Sequence, residues 1–394
     1  MASTGSRQPR HFRRARNVHG VHGLVMVGLC GTILLFCESY ASSASCFAKG
    51  PICPWRVHGE QIRTEKLATS ALRRDVLLGT SGALSQAEVQ QLKPICEVPL
   101  HRLKPINGQL GGQFASISAF LGGESVELML DTGLSEGMVT PSLAKRLKLP
   151  SLGSAEGATA GGDATVELVQ LKDLRLDCGE LLEPVTAAVA SFPEEKIDQK
   201  WPLGGMLGYQ ALQSYDADID FPGGKLRLWR PGEGAAVAQK AGLADVEAVV
   251  LPDFAILGVR VMQPGARAAV ALGIVDTGAG FSAITPSAAQ LLKAQAGQQA
   301  VTIIGVDGRP LQLPLTSEVT LPLGGKGGPE DGWETAVSLR TSRAALGDLP
   351  ALKIFANGKP AVLLGLDVLG NRRLVFTAGS GPTRHLYIGP DERR

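Results

Sequence analysis

Short apolar runs, most of them ending at glycine, proline or an acid, recur along the chain from residue 114 onward, which is the pattern of strands joined by turns. Residues 114–121 and 125–130 are two such runs with Gly122-Gly123 between them, which predicts a hairpin. Leu168-Val-Gln-Leu-Lys-Asp-Leu-Arg-Leu176 alternates as a strand does, and Phe221-Pro-Gly-Gly-Lys-Leu-Arg-Leu-Trp229 predicts a turn feeding a strand. In the second half, residues 249–251 and 254–261 read as strands, and residues 374–376 and 386–388 as closing strands. Residues 301–313 predict a hairpin about Asp307-Gly308. Helical spacing is confined to short stretches: Pro141 to Leu147, a counterpart after Pro286, and residues 235–241, which read either as a short helix or as a plain connection.

One unit of this pattern is written twice. Val126-Glu-Leu-Met-Leu-Asp131-Thr132-Gly133 returns as Ala271-Leu-Gly-Ile-Val-Asp276-Thr277-Gly278, and both copies run on through Thr-Pro-Ser into a helix. A single Asp-Thr-Gly supports a bland reading, in which Asp caps the turn, Gly takes a positive φ and Thr bonds backbone. Two copies in matched contexts point to an internal duplication. A duplicated half-site can set two acids face to face about a pseudo-twofold axis. Carboxylates at hydrogen-bond distance cannot both ionise, so they share a proton and titrate as a pair. One member can then deprotonate a water while the other protonates a carbonyl oxygen, which is general acid–base hydrolysis without a covalent intermediate.

With these motifs the chain resembles the pepsin/retropepsin superfamily of aspartic proteases in its single-chain, two-lobed form. A hydrophobic-hydrophobic-Gly segment, which in that family crosses beneath each catalytic loop, is matched by Met206-Leu207-Gly208 and by Leu363-Leu364-Gly365 at comparable distances from the two acids. The resemblance implies an all-β, bilobal aspartic protease-like fold of two retropepsin-like β-barrel lobes. It implies Asp131 and Asp276 as catalytic residues, with Thr132, Gly133, Thr277 and Gly278 supporting the active-site loops and Gly208 and Gly365 as structural loop glycines. It also implies a peptide or protein substrate, no cofactor and no metal. Residues 157–166 and 301–313 stand where the family places flaps. Where many two-lobed members carry Ser or Thr to hydrogen-bond an outer carboxylate oxygen, this chain has Leu134 and Ala279. Fewer donors to the ionised form raise the pair's pKa, which favours acid operation or weak activity. The expectation is an aspartic-type endopeptidase; the alternative is a catalytically silent, peptide-binding paralogue.

Length and composition fill in the surroundings. A chain of 394 residues has room for more than one core, and its 49 glycines and few aromatics suit a turn-rich β protein. A net charge of +2, with much of the positive excess at the front, points away from nucleic acid. Five arginines between Arg7 and Arg16, an apolar run over residues 24–36 and small residues at 41–45 describe a secretory-type signal or, alternatively, a membrane anchor. Residues 72–87, with Arg73-Arg74 ahead of a mild apolar run, resemble a twin-arginine signal, the other reading being a charged pair in a linker. Stacked signals of this kind suggest a plastid and its thylakoid lumen; the secretory pathway is the alternative.

The expected organisation is a targeting presequence, cleaved or disordered, over 1–87 and a linker or pro-segment over 88–112. Lobe one would span 113–232, an inter-lobe linker 233–248 and lobe two 249–390. Membrane contact is expected only through the presequence, and a monomer with internal pseudo-twofold symmetry is expected. Four of six cysteines fall in the presequence, leaving Cys96 and Cys178 to pair or stay reduced.

Overall fold

The computed structural model describes residues 33–35, 86–103, 113–159, 162–191, 202–251, 254–263, 269–304, 310–328, 332–341, 343–379 and 381–392. Most of the expected presequence, including Arg73-Arg74, lies outside these residues; of it, Ile33–Leu35 runs antiparallel beside Ala296–Ile304. The tips of the two flap-like hairpins, 160–161 and 305–309, also lie outside them. Among the described residues no helix is long and apolar enough to cross a membrane.

The described residues fold chiefly as two β-sheets. The first is built from residues 101–208. Ala115–Leu121 and Glu124–Asp131 form its hairpin, whose turn is Gly122-Gly123, both at positive φ. Glu124–Asp131 then lies parallel to Leu203–Gly208, so that Gly208 stands opposite Asp131. Gly137–Val139 inserts on the far side of Leu203–Gly208, antiparallel to it and parallel to Val185–Val189.

The second half repeats this arrangement. Val270–Val275 lies parallel to Ala361–Leu364, and Ala283–Ile284 runs antiparallel to Ala361–Leu364 and parallel to Ala345–Leu346. The helices that follow are duplicates to the level of their caps. Thr140 accepts the Leu143 N–H at 3.2 Å and Thr285 the Ala288 N–H at 3.3 Å. Proline opens both helices, where its missing N–H costs nothing, and Lys148 and Lys293 close them in the left-handed region. Apolar residues of both strands into the acids are buried, including Leu128, Leu130, Ile274 and Val275, and this fixes the strand register from the core side.

A six-stranded antiparallel layer joins the halves, in the order Cys96–Pro99, Lys225–Trp229, Asp216–Asp220, Arg373–Phe376, Thr383–Ile388, Ala244–Val250. Its central pairing, Asp216–Asp220 with Arg373–Phe376, brings together the ends of the two repeats. Two expectations change here. Residues 233–248 are no plain linker: Glu233–Lys240 is a helix and Ala244–Val250 begins within that stretch, because the Asp216 carboxylate accepts the Gly232 and Ala235 N–H groups and so caps the helix start from a neighbouring strand. Where it is described, over 88–103, the approach is likewise built in, through a strand at Cys96–Pro99 and one at His101–Arg102. Cys96 and Cys178 form a disulfide that ties this approach to the first sheet's half.

Candidate active site

Asp131 and Asp276 end their strands in equivalent places, and both are wholly buried. Each carboxyl is seated by its own loop, with the Gly133 N–H donating to Asp131 Oδ1 at 3.0 Å and the Gly278 N–H to Asp276 Oδ1 at 2.8 Å. Each also lies on the opposite half's glycine: a Cβ on Gly133 would overlap the Asp276 carboxyl, and one on Gly278 would overlap that of Asp131. The two carboxyls lie close enough for Asp276 to bear on the ionisation of Asp131.

Thr132 and Thr277 cross-link the loops with matched bonds. Each N–H donates to the other's Oγ1 at 3.1 Å. Each hydroxyl donates to a carbonyl in the other half, Thr132 to Val275 O at 2.7 Å and Thr277 to Leu130 O at 3.0 Å. Every polar atom of the two threonine side chains is thus satisfied across the axis, which is what a buried hydroxyl requires. Behind the loops, the Tyr209 N–H donates to Leu134 O and the Leu366 N–H to Ala279 O, both at 2.8 Å. The packing leaves no space for a side chain at Gly208, whose Cβ would enter the Glu136 carbonyl, nor at Gly365, whose Cβ would strike the backbone of Phe281.

The electrostatics follow from burial. It pushes both carboxyls up, Asp276 to about 6 and Asp131 well above the ordinary carboxylate range. For Asp131 the facing charge of Asp276 adds to the rise, against a downward pull from the Gly133 and Leu134 N–H groups. For Asp276 the Gly278 and Ala279 N–H groups pull back. Asp131 Oδ2 and Asp276 Oδ2 are buried and receive no donor. These are the positions left bare where Leu134 and Ala279 stand in place of hydroxyl residues. Leu134 itself is buried and belongs to the main hydrophobic core. Two carboxyls raised in this way can hold one proton between them, an acid beside a base.

The aspartyl protease family matches residues 117–211, a span that contains Asp131-Thr132-Gly133 and Gly208. Within the chain, that span is the part that resembles aspartyl proteases. A retropepsin-like aspartic protease from Rickettsia conorii, a solved structure, is 19% identical, with 34% of this chain and 89% of that one covered and a TM-score of 0.23. No curated protein matches the chain. In the first half, a cavity of about 320 Å³ opens beside Glu127, Ser142 and Arg146, and neither Asp131 nor Asp276 lines it.

Several polar residues that hold the site were not singled out in the sequence. Ser282 donates its N–H and Oγ–H to Asp367 at 2.8 and 2.7 Å and accepts the Gly365 N–H at 3.1 Å, locking the second loop to its backing segment. Glu127, on the strand into Asp131, takes hydroxyls from Ser116 and Ser118 and bonds His101 Nδ1 at 2.8 Å. Asp218 grips Arg373 across the seam between the halves. The last had a visible signal, since Asp216-Ala-Asp-Ile-Asp220 sets acids on one strand face opposite Lys225 and Arg227.

Proposed function

We propose that the protein is an aspartic-type endopeptidase that cuts peptide bonds of peptide or protein substrates with Asp131 and Asp276. The observation that carries this reading is the facing of two buried carboxyls that sit on each other's loop glycines. The ionised member takes a proton from a water as it attacks the scissile carbonyl carbon. The protonated member gives its proton to the carbonyl oxygen, and the tetrahedral adduct collapses with a proton passed to the leaving nitrogen. Both carboxyls are without exposed surface, so a peptide reaches them only when the structure above them opens.

The raised pKa values favour work on the acid side of neutrality, where one proton is retained. An acidic compartment such as a plastid's thylakoid lumen would suit that chemistry. A hydroxyl-bearing peptide mimic of the tetrahedral state tests the site. It should bind the full chain with an affinity that falls as pH rises through about 6, the value to which Asp276 is raised, and should bind neither Asp131→Asn nor Asp276→Asn comparably. Equal binding by wild type and both variants would remove the dyad from the function.

A further inference from the structure

The repeat that relates the two acids also relates the strands at the seam. Gly208 and Gly365 are equivalent, and counting the same number of residues on from each makes Asp216 equivalent to Arg373 and Asp218 equivalent to Val375. In the seam pairing, Ala217 stands opposite Phe376 and Ile219 opposite Leu374, two pairs that the repeat exchanges. Asp218 stands opposite Val375, a pair that the repeat maps onto itself. Asp218 therefore lies on the internal twofold axis of the seam.

It is also the wrong residue for that place unless charge is needed there. Asp218 is wholly buried, where its equivalent in the other half is the apolar Val375. Arg373 reaches it from the second half with a bidentate fork, Nε to Oδ1 at 2.8 Å and Nη2 to Oδ2 at 2.7 Å. From the neighbouring strand Lys225–Trp229 come Arg227 Nη1 and Trp229 Nε1, both at 3.3 Å. Buried ion pairs are poor stabilisers because desolvation offsets their attraction, and their best-attested use is to select one register among several. A slip of two residues along an antiparallel seam would shift one half against the other by about 7 Å while keeping the same faces inward. Such a slip would pull Arg373 out of reach of Asp218 and leave a buried carboxylate short of its partner.

The route from this pair to the acids is short. The segment that ends in Asp216–Asp220 begins at Gly208 and Tyr209, which hold the first loop through Leu134 O. The segment that ends in Arg373–Phe376 begins at Gly365 and Leu366, which hold the second through Ala279 O and Ser282. We propose that Asp218, held by Arg373, is a positioning residue that sets the register of the two halves at their axis and thereby the facing of Asp131 and Asp276. For its kinetic consequence the proposal rests on the endopeptidase reading; for its structural consequence it does not.

The test uses full chains carrying Asp218→Asn, Arg373→Gln and Arg373→Lys. Glu124→Gln, which removes an exposed ion pair with Arg146 away from this network, serves as control. Two readouts are taken well below each protein's melting temperature: the pH profile of kcat, and the titration of carboxyl-¹³C aspartate signals assigned with Asp131→Asn and Asp276→Asn. Mutual interaction holds the two macroscopic steps of a carboxyl pair apart, so a loosened pair titrates with its steps drawn together. Asp218→Asn and Arg373→Gln are expected to narrow the kcat bell from both sides and to lower kcat about 10–100-fold, the scale of a misplacement near 1 Å. Arg373→Lys, which keeps charge without the fork, should fall between, and Glu124→Gln should match wild type.

Variants that melt earlier but keep the wild-type bell and step separation would reduce Asp218 to a sheet-stabilising residue and overturn the proposal. Should Asp218→Asn not fold, the two Arg373 variants decide on the same readouts. If the wild type cuts nothing, the endopeptidase reading fails and the carboxyl titration alone decides: converging steps uphold the positioning role, and unchanged steps overturn it.

Discussion

A carboxyl with no exposed surface and one orphaned oxygen resists ionisation, and here two of them face each other. The consequence for stability has a definite sign. Asp276 is raised from 3.8 in the unfolded chain to about 6 in the fold, chiefly by burial, so the folded state binds the proton more tightly. The stability tied to that proton is fully present below the unfolded value and is lost as pH rises through about 6. Comparing unfolding of wild type with Asp276→Asn across this window should show the wild type losing ground by about 3 kcal/mol at most. The orphaned Oδ2 atoms give a second prediction. Ala279→Ser adds a hydroxyl where a donor is missing at little cost in packing, favours the ionised form, and should move the whole pH–rate bell to lower pH. Leu134→Ser is the poorer probe, because emptying a buried leucine site costs about 2–5 kcal/mol by itself.

At the scale of elements, the unit of strand, Asp-Thr-Gly, short strand and Thr-capped helix is self-specifying, which is why it could be read from the chain. Its signals are local: an apolar run, a glycine that the opposing carboxyl requires, a Thr-Pro-Ser cap. What no local signal carried was which loop meets which. The crossed threonine bonds join residues 145 apart in sequence. They are the element most open to a direct test. Thr132→Val keeps the shape but leaves Val275 O without its donor and the Thr277 N–H without its acceptor. With each orphaned buried group costing about 1–3 kcal/mol, denaturant unfolding should show a loss of about 2–6 kcal/mol, with kcat falling alongside. The seam strands were harder still to read: Asp216-Ala-Asp-Ile-Asp220 looks like an exposed alternating strand until Arg373, from the other end of the chain, is placed beside it. Sequence left residues 235–241 open between a helix and a plain connection for the same reason, since the carboxylate that caps the helix, Asp216, lies on another strand.

At the scale of the molecule, two halves are held by a central layer and by an approach segment that touches both. Arg102 donates to Gly370 O at 2.9 Å in the second half, while Cys96 is bonded to Cys178 in the first. That disulfide encloses Asp131 in a loop spanning 82 residues, and closing such a loop restricts the unfolded chain by about 4 kcal/mol. Cys178→Ser should therefore lower stability by an amount of that order relative to the oxidised wild type, and should match the reduced wild type. The segment around Cys96 belongs to the working fold by this account, with Val98, Leu100 and Leu103 buried in its core.

The claim that two halves contribute one acid each to a shared dyad is tested most directly by cleavage of a mixed peptide library between about pH 3 and 8, a range spanning the carboxylate values. Full-length wild type, Asp131→Asn and Asp276→Asn would be run side by side, with folding of each checked by near-ultraviolet circular dichroism. Acid-favoured cutting by the wild type, lost in both variants while their folds persist, is the expected result. Cutting that survives in either variant, or a folded wild type that cuts nothing across the range, would contradict it.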